Sequence, residues 1–285
     1  ARMQNAGYAA GNFNLCYFYT ETDDRYLGEI IEGIRRMPSF IGAAVTKPNK
    51  VKVLQYLDEL DPLCRKMGAC NTVVKLPDGR LKGYNTDGSG FLRSIKEEAG
   101  LSIPEHTFFC FGAGGAGRAI CSVLAYNGAR KIYITDIFRE SADKLAGDIN
   151  ANFAPIAEAA PYEDRSAVSE SSVVINASGV GMGDTAGQSP LPEELIKAEQ
   201  FYFDACYNPD KTQFLLNAEK KGCRILNGLG MSLYQGVVQI ELWTGKEAPV
   251  EAMRRELTDI LAEKAWSQNH AESEVFGKQG VGKQK

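Results

Sequence analysis

Histidine is nearly missing from these 285 residues: only His106 and His270 occur, neither at a ligand-like spacing from another donor. A zinc centre is therefore not expected, and no metal is assigned. No C-x-x-C pair occurs either. The seven cysteines (16, 64, 70, 110, 121, 206 and 223) are odd in number and scattered, and several, such as Cys110 in HTFFCFG, lie in apolar runs. That usage speaks against a disulfide framework and reads as reduced, buried thiols acting as small hydrophobes. No apolar run is long enough to span a bilayer, and the opening ARMQNAGYAAGN has neither the basic region nor the apolar stretch of a secretory signal. An excess of positive charge is also lacking. With a net charge of −4 and a pI near 5.5, neither nucleic acid nor anionic membrane is expected as a partner. The expectation is a cytoplasmic protein, a monomer or a homodimer, that works on a small molecule.

What is present supports a substantial core. Hydrophobic residues make up 44% of the chain and charged residues 24%, and the length suits two modest domains. From Ser267 onward the sequence is polar and rich in Gly, Lys and Gln, so residues 267–285 are read as a disordered tail.

The first part alternates strand-like and helical segments. GNFNLCYFYTET is a strand candidate, DDRYLGEIIEGIRRM carries Leu27, Ile30, Ile31 and Ile34 at helical spacing, and FIGAAVT reads as the next strand. Asn49 is a plausible helix cap, with Val53, Leu54, Leu57 and Leu60 forming one apolar face beyond it. Asp61-Pro62 signals another helix start and Gly68 its stop. Two extended runs joined at Pro77-Asp78-Gly79 form a hairpin. Alternation of this kind predicts an α/β layer around a mostly parallel sheet.

The second part opens with an apolar strand, Phe108 to Phe111, running into Gly112, Gly114 and Gly117 at G-x-G-x-x-G spacing, then a helix stopped near Gly128. The glycines permit a tight turn, close backbone approach to a pyrophosphate and close helix packing, while the helix N-terminus offers free N–H groups to phosphate. A second strand ends at Asp136, near the offset at which an acidic residue meets the adenosine ribose. A carboxylate there accepts hydrogen bonds from ribose hydroxyls and repels a 2′-phosphate, so NAD is preferred, with NADP possible through nearby Arg139. The competing role for Asp136 is a helix cap for ESADKLAGDI. SVVINAS, FYFDACY and CRILN read as further strands, with LPEELIKAE and TQFLLNAEKKG helical between them.

Several loops in one order resemble the shikimate and quinate/shikimate dehydrogenases: VTKPNK, the DEL of LQYLDEL, GACNTVV, GYNTDGSGF, GAGGAGRA, NASGVGM, DACYNP and GLGMSLYQG. The resemblance implies an α/β substrate domain plus a Rossmann-type, doubly wound dinucleotide-binding domain. It divides the chain into residues 1–86, completed by helices over 233–266, and residues 87–232. The implied activity is hydride exchange between nicotinamide and the C3 carbon of shikimate or 3-dehydroshikimate, with quinate an alternative substrate. Lys50 and Asp87 become the catalytic pair, the carboxylate orienting an amine that gives or takes the hydroxyl proton. Thr46, Asn71, Tyr207 and Gln235 are implied substrate contacts. Ala113, Gly114, Gly115 and Ala116, between Gly112 and Gly117, would approach the pyrophosphate. Ser178, Val180 and Gly228 to Met231 would border the nicotinamide.

The chain departs from the family at Ala44, where asparagine is usual, and at Lys47, where an apolar residue is usual and which is read as a surface or rim side chain. The family's Ser-x-Ser-Pro substrate loop precedes Met-x-Asn, whereas the sequence begins at ARMQN. These departures motivate the alternative of a non-catalytic protein that binds a shikimate-like metabolite, and a folate-linked dehydrogenase of similar layout stands third. Considered alone, Lys50 reads as a solvated lysine on the first turn of a helix, and Asp87 as the cap of the helix that follows it.

Overall fold

A computed structural model describes residues 1–263; the segment expected to be a disordered tail lies outside the described residues. Two compact units form, one of Ala1–Tyr19 with the segment from Glu247 onward, the other of Thr20–Lys246. In the first unit, helix α1 (Arg2–Ala10) ends at Gly11 and residues 250–263 are helical. Arg2 binds Glu256 at 2.7 Å and Glu263 through both carboxylate oxygens. The strand expected over residues 11–22 does not form. The Asn5 amide takes both backbone groups of Tyr17 at 2.7 Å, the bonds a neighbouring strand would otherwise make, and Phe18 and Tyr19 remain exposed.

In the second unit, α2 (Leu27–Arg36) buries Leu27 and Ile31 at the spacing read from the sequence. Strand β1 (Gly42–Ala44) leads to α3 (Asn49–Lys52), a single turn that tightens to a 3-10 helix over Val53–Tyr56. Asn49 is the first helical residue and buried rather than the cap. The longer helix expected through Leu60 is cut short. Asp58 donates its N–H to the Leu81 carbonyl and accepts from the Leu81 N–H at 2.7 Å, which draws the chain into strand β2 (Glu59–Leu60). Leu57 and Leu60 still pack on the same buried cluster as Val53. Helix α4 (Pro62–Met67) starts and stops as read: Asp61 accepts from the N–H groups of Leu63 and Cys64, and Gly68 is left-handed at φ 68°.

Strands β3 (Thr72–Lys75) and β4 (Leu81–Tyr84) form the expected hairpin, with Gly79 at φ 88°. Their sheet has the order β1-β3-β4-β2. It is mixed, not mostly parallel: the hairpin and the β1–β3 pair are antiparallel and only β2–β4 is parallel. The five residues between the strands, 76–80, leave no length for a crossover, so the hairpin imposes the antiparallel sense. Helix α5 (Thr86–Ala99) follows directly.

The remaining elements alternate: β5 (Thr107–Phe111), α6 (Gly115–Tyr126), β6 (Lys131–Thr135), α7 (Arg139–Asn152), β7 (Ala157–Ala159), α8 (Ser166–Glu170), β8 (Val173–Asn176), β9 (Phe201–Asp204), α9 (Gln213–Lys220), β10 (Arg224–Leu226) and α10 (Leu229–Thr244). The strands form one parallel sheet ordered β10-β9-β8-β5-β6-β7. The chain runs outward from β5 through β6 to β7, then returns to β5's other side for β8 to β10. That reversal puts a switch point between β5 and β8, where doubly wound sheets bind ligands. β8 and β9 are buried at every residue, as strands covered on both faces must be. The segment LPEELIKAE is not a helix but a 3-10 turn at Glu193–Leu195. The Lys197 N–H that a helix would have used bonds instead to the Tyr202 hydroxyl at 3.1 Å.

Six of the seven cysteines are buried free thiols, as read from their apolar neighbours; Cys16 is exposed.

Candidate active site

Lys50 and Asp87 are 37 positions apart, and backbone pairing brings them together. The Lys50 carbonyl accepts from the Cys70 N–H at 2.8 Å, the Asn71 carbonyl accepts from Val45, and Asn71 donates to the Tyr84 carbonyl. Asn71 Oδ1 then accepts from the Thr86 N–H at 2.7 Å, which fixes the start of α5. The cap of α5 is Asn85, not Asp87. Asp87, on the helix's first turn, is left to bind Lys50 Nζ at 2.7 Å. Peptide dipoles favour a carboxylate there. The two side chains are 28% and 15% exposed, open enough for a substrate to reach yet shielded enough to hold one geometry.

Asn71 is 1% exposed, and its Nδ2 is buried with no hydrogen-bond partner among the described residues. A buried donor left over beside the ion pair costs stability unless something else accepts from it. A ring hydroxyl fits that requirement. Thr46, on the loop between β1 and Lys50, is exposed. Gln235, half-buried on α10, lies against α5: a Cβ on Gly90 would be 2.5 Å from the Met231 carbonyl and 2.6 Å from the Gln235 nitrogen. Gly90 is one turn beyond Asp87, so this close approach sets Gln235 and Met231 against the helix that carries Asp87. Tyr207 is half-buried in the loop after β9.

The glycine-rich turn sits at the switch point. Gly112 follows β5 at φ 100°, and a Cβ there would lie 2.7 Å from the backbone of Ala177, just after β8. A Cβ on Gly117 would lie 1.9 Å from the Gly112 carbonyl. Gly114, the cap of α6, has no side chain satisfying the helix's first N–H groups, and nothing lies within 4 Å of where its Cβ would be. Ala113 is buried; Gly115 is exposed and Ala116 half-buried. Free N–H groups under open space suit a pyrophosphate, so the residues present fit a dinucleotide. Asp136 follows β6 and accepts from the Ala113 N–H at 2.7 Å and the Phe138 N–H at 2.9 Å. It does not cap α7, whose cap is Phe138. Arg139 is engaged in an ion pair with Asp143. Helix α5 also packs on α6, since a Cβ on Gly88 would be 3.2 Å from Val123 Cβ.

The residues expected to border the nicotinamide are held by a polar pair the sequence reading missed. Asn176 and Asp204 end adjacent parallel strands in register. Asn176 Nδ2 donates to both Asp204 oxygens at 3.1 Å and to the Val180 carbonyl at 2.8 Å, and its Oδ1 accepts from the Ser178 hydroxyl at 2.6 Å. Thr212 and the Cys206 N–H also donate to Asp204. Burial pushes the Asp204 carboxyl above its ordinary value, while these hydrogen bonds pull the other way. Gly228 caps α10 and approaches so closely that a Cβ would be 2.1 Å from the Ala205 carbonyl. The available signal was a polar residue closing each of two otherwise apolar strands, VVIN and FYFD. Gln239 was missed too; 2% exposed, it donates to Thr72 Oγ1 at 3.0 Å, behind Asn71.

The fold and site define a dinucleotide-binding protein of the Rossmann class in which Lys50 of α3 is paired with Asp87 of α5, the helix packed against α6. Residues 1–73 match the model of the shikimate dehydrogenase substrate binding domain, and residues 228–258 that of the shikimate 5'-dehydrogenase C-terminal domain. A curated relative from Moorella thermoacetica, a shikimate dehydrogenase (NADP(+)), is 40% identical over 262 residues, covering 91% of this chain and 88% of that protein. The crystal structure of shikimate 5-dehydrogenase from Listeria monocytogenes in complex with shikimate and NAD superposes with a TM-score of 0.85 at 38% identity, covering 90% of each chain. Quinate dehydrogenase from Corynebacterium glutamicum in complex with NAD gives a TM-score of 0.83 at 27% identity, over 90% of this chain and 93% of that one. The chain belongs to the shikimate dehydrogenase family. Among the described residues no helix is long and apolar enough to cross a membrane.

Proposed function

We propose that this protein catalyses NAD(P)-dependent interconversion of shikimate and 3-dehydroshikimate, with quinate an alternative substrate. The observation that carries the proposal is the 2.7 Å hydrogen bond from Lys50 to Asp87. When bound, the nicotinamide supplies or accepts the hydride at the ring carbon. In reduction, the Lys50 ammonium donates to the ketone oxygen and passes it a proton as the alkoxide forms; in oxidation it takes that proton back. Asp87 holds the amine in place. Asn71 Nδ2, Thr46 and Gln235 orient ring hydroxyls, and Tyr207 supports the carboxylate end. Gly112 to Gly117 receive the pyrophosphate, and Ser178, Val180, Gly228 and Met231 border the nicotinamide.

NAD is the preferred cofactor on this reading, supported by the Asp136 carboxylate at the end of β6 and by the ion pair that draws Arg139 toward Asp143. The same reading assigns residues 1–86 and the start of the C-terminal part, from 233, to substrate binding and residues 87–232 to nucleotide binding. The buried free thiols suit a cytoplasmic enzyme. Incubation with NAD or NADP and either shikimate or quinate, following reduced nicotinamide, tests the function. Turnover of shikimate supports it, and no turnover of either acid with either cofactor refutes it. Ligand-induced thermal stabilisation without turnover would favour the binding-protein alternative, against which the intact Lys50–Asp87 pair stands.

A further inference from the structure

Three residues before Lys50, the side chain of Lys47 crosses to the dinucleotide turn. A Cβ placed on Gly115 would lie 3.4 Å from Lys47 Cε and 3.9 Å from Lys47 Nζ. Among the described residues, Lys47 forms no ion pair, and it is exposed. Gly115 is the first residue of α6, a 12-residue helix with no side-chain cap and no acidic residue in its first turn. An ammonium beside the positive end of a helix is unfavourable by itself, because the peptide dipoles and the charge have the same sign. Here the lysine beside Gly115 and the uncapped N–H groups border the open space at Gly114, where nothing among the described residues lies within 4 Å of an added Cβ.

We propose that Lys47 is a positioning residue for the cofactor, holding the pyrophosphate from above while the first turn of α6 holds it from below. One loop then carries both the catalytic lysine and a cofactor contact. The inference rests on the dinucleotide-binding reading and goes beyond it, since the fold alone requires only the glycine turn. A phosphate oxygen between the two would accept a charge-assisted bond from Nζ and backbone bonds from the helix end, cancelling the repulsion. The neighbouring α6 side chain Arg118 is committed to Asp148 at 2.9 Å, so it does not substitute for Lys47.

The test is binding of ADP-ribose and of adenosine, by calorimetry, to wild type, Lys47→Gln and Lys47→Arg, with thermal unfolding as a check on folding. Lys47→Gln is expected to bind ADP-ribose about tenfold or more weakly, as loss of a charged hydrogen bond implies. Adenosine, which has no phosphate, should bind both proteins alike, Lys47→Arg should retain most of the affinity, and the salt dependence of ADP-ribose binding should flatten in Lys47→Gln. Equal ADP-ribose affinity in wild type and Lys47→Gln overturns the assignment to Lys47 and leaves the dinucleotide site standing. Equal weakening for adenosine also overturns it. A wild-type protein that binds no ADP-ribose defeats both this inference and the reading on which it rests.

Discussion

Substituting alanine for Gly90 tests whether the α5–α10 contact positions the site. A Cβ there would be 2.5 Å from the Met231 carbonyl oxygen, 2.6 Å from the Gln235 nitrogen and 3.0 Å from Gln235 Cα. These are backbone atoms in the first turns of α10, so no rotamer change relieves the clash; the helices must separate by roughly 0.8 Å. Overpacking of this kind costs ~1–3 kcal/mol, while replacing a helical glycine by alanine returns up to ~1 kcal/mol. Gly88 provides the control. Its Cβ would meet Val123 Cβ at 3.2 Å and the Ala119 carbonyl at 3.3 Å, tight contacts that small shifts can absorb. Gly90→Ala should therefore lower the melting temperature by roughly 2–8 °C and raise KM for shikimate as Gln235 moves off. Gly88→Ala should stay within about 2 °C of wild type. Thermal unfolding and steady-state kinetics read both effects. A Gly90→Ala protein as stable as wild type with an unchanged KM would refute the close-approach reasoning.

Three further outcomes follow from the same geometry. Asp136→Asn removes the charge while keeping one of the two oxygens that accept from the Ala113 and Phe138 N–H groups, so the ratio of kcat/KM for NAD to that for NADP should fall by about tenfold or more; an unchanged ratio would show that this carboxylate does not discriminate. Burial raises the Asp204 carboxyl above its unfolded value, so its contribution to stability is fully present below the unfolded pKa and is lost as pH rises through the folded one. Urea midpoints of wild type should accordingly decline relative to Asp204→Asn as pH climbs from the ordinary carboxylate range toward neutrality, and parallel profiles would contradict the burial effect. Asn71→Ala removes both the acceptor that fixes the Thr86 N–H and the spare donor, so it should weaken shikimate binding and lower stability by ~1–3 kcal/mol; stability lost with KM unchanged would remove Asn71 from the substrate contacts.

The dinucleotide half was legible because its determinants are local. Gly112, Gly117 and Asp136 act through a strand, a turn and a helix adjacent in sequence, and apolar runs such as FFCF and VVIN leave few alternatives to buried parallel strands. The substrate half was less legible. Leu57 and Leu60 have helical spacing, yet the two bonds between Asp58 and Leu81 pull that segment into a sheet, a tertiary preference invisible to periodicity. Asn5 likewise takes the place of a strand partner for Tyr17. Lys50 alone looked like a solvated lysine, and only the ordered set of motifs singled it out. The joint roles of Gly88 and Gly90, facing α6 and α10 from one helix, depend on which surfaces meet and so appear only in three dimensions.

The proposed chemistry depends most directly on the amine at position 50. Turnover of shikimate by Lys50→Met, measured beside the Kd for NAD on the same preparation, isolates it. Loss of a positioned acid–base group should reduce kcat by ~10²–10⁴-fold while cofactor affinity stays within about twofold of wild type. A variant that keeps wild-type turnover, or that loses cofactor binding and kcat in equal measure, would contradict the account.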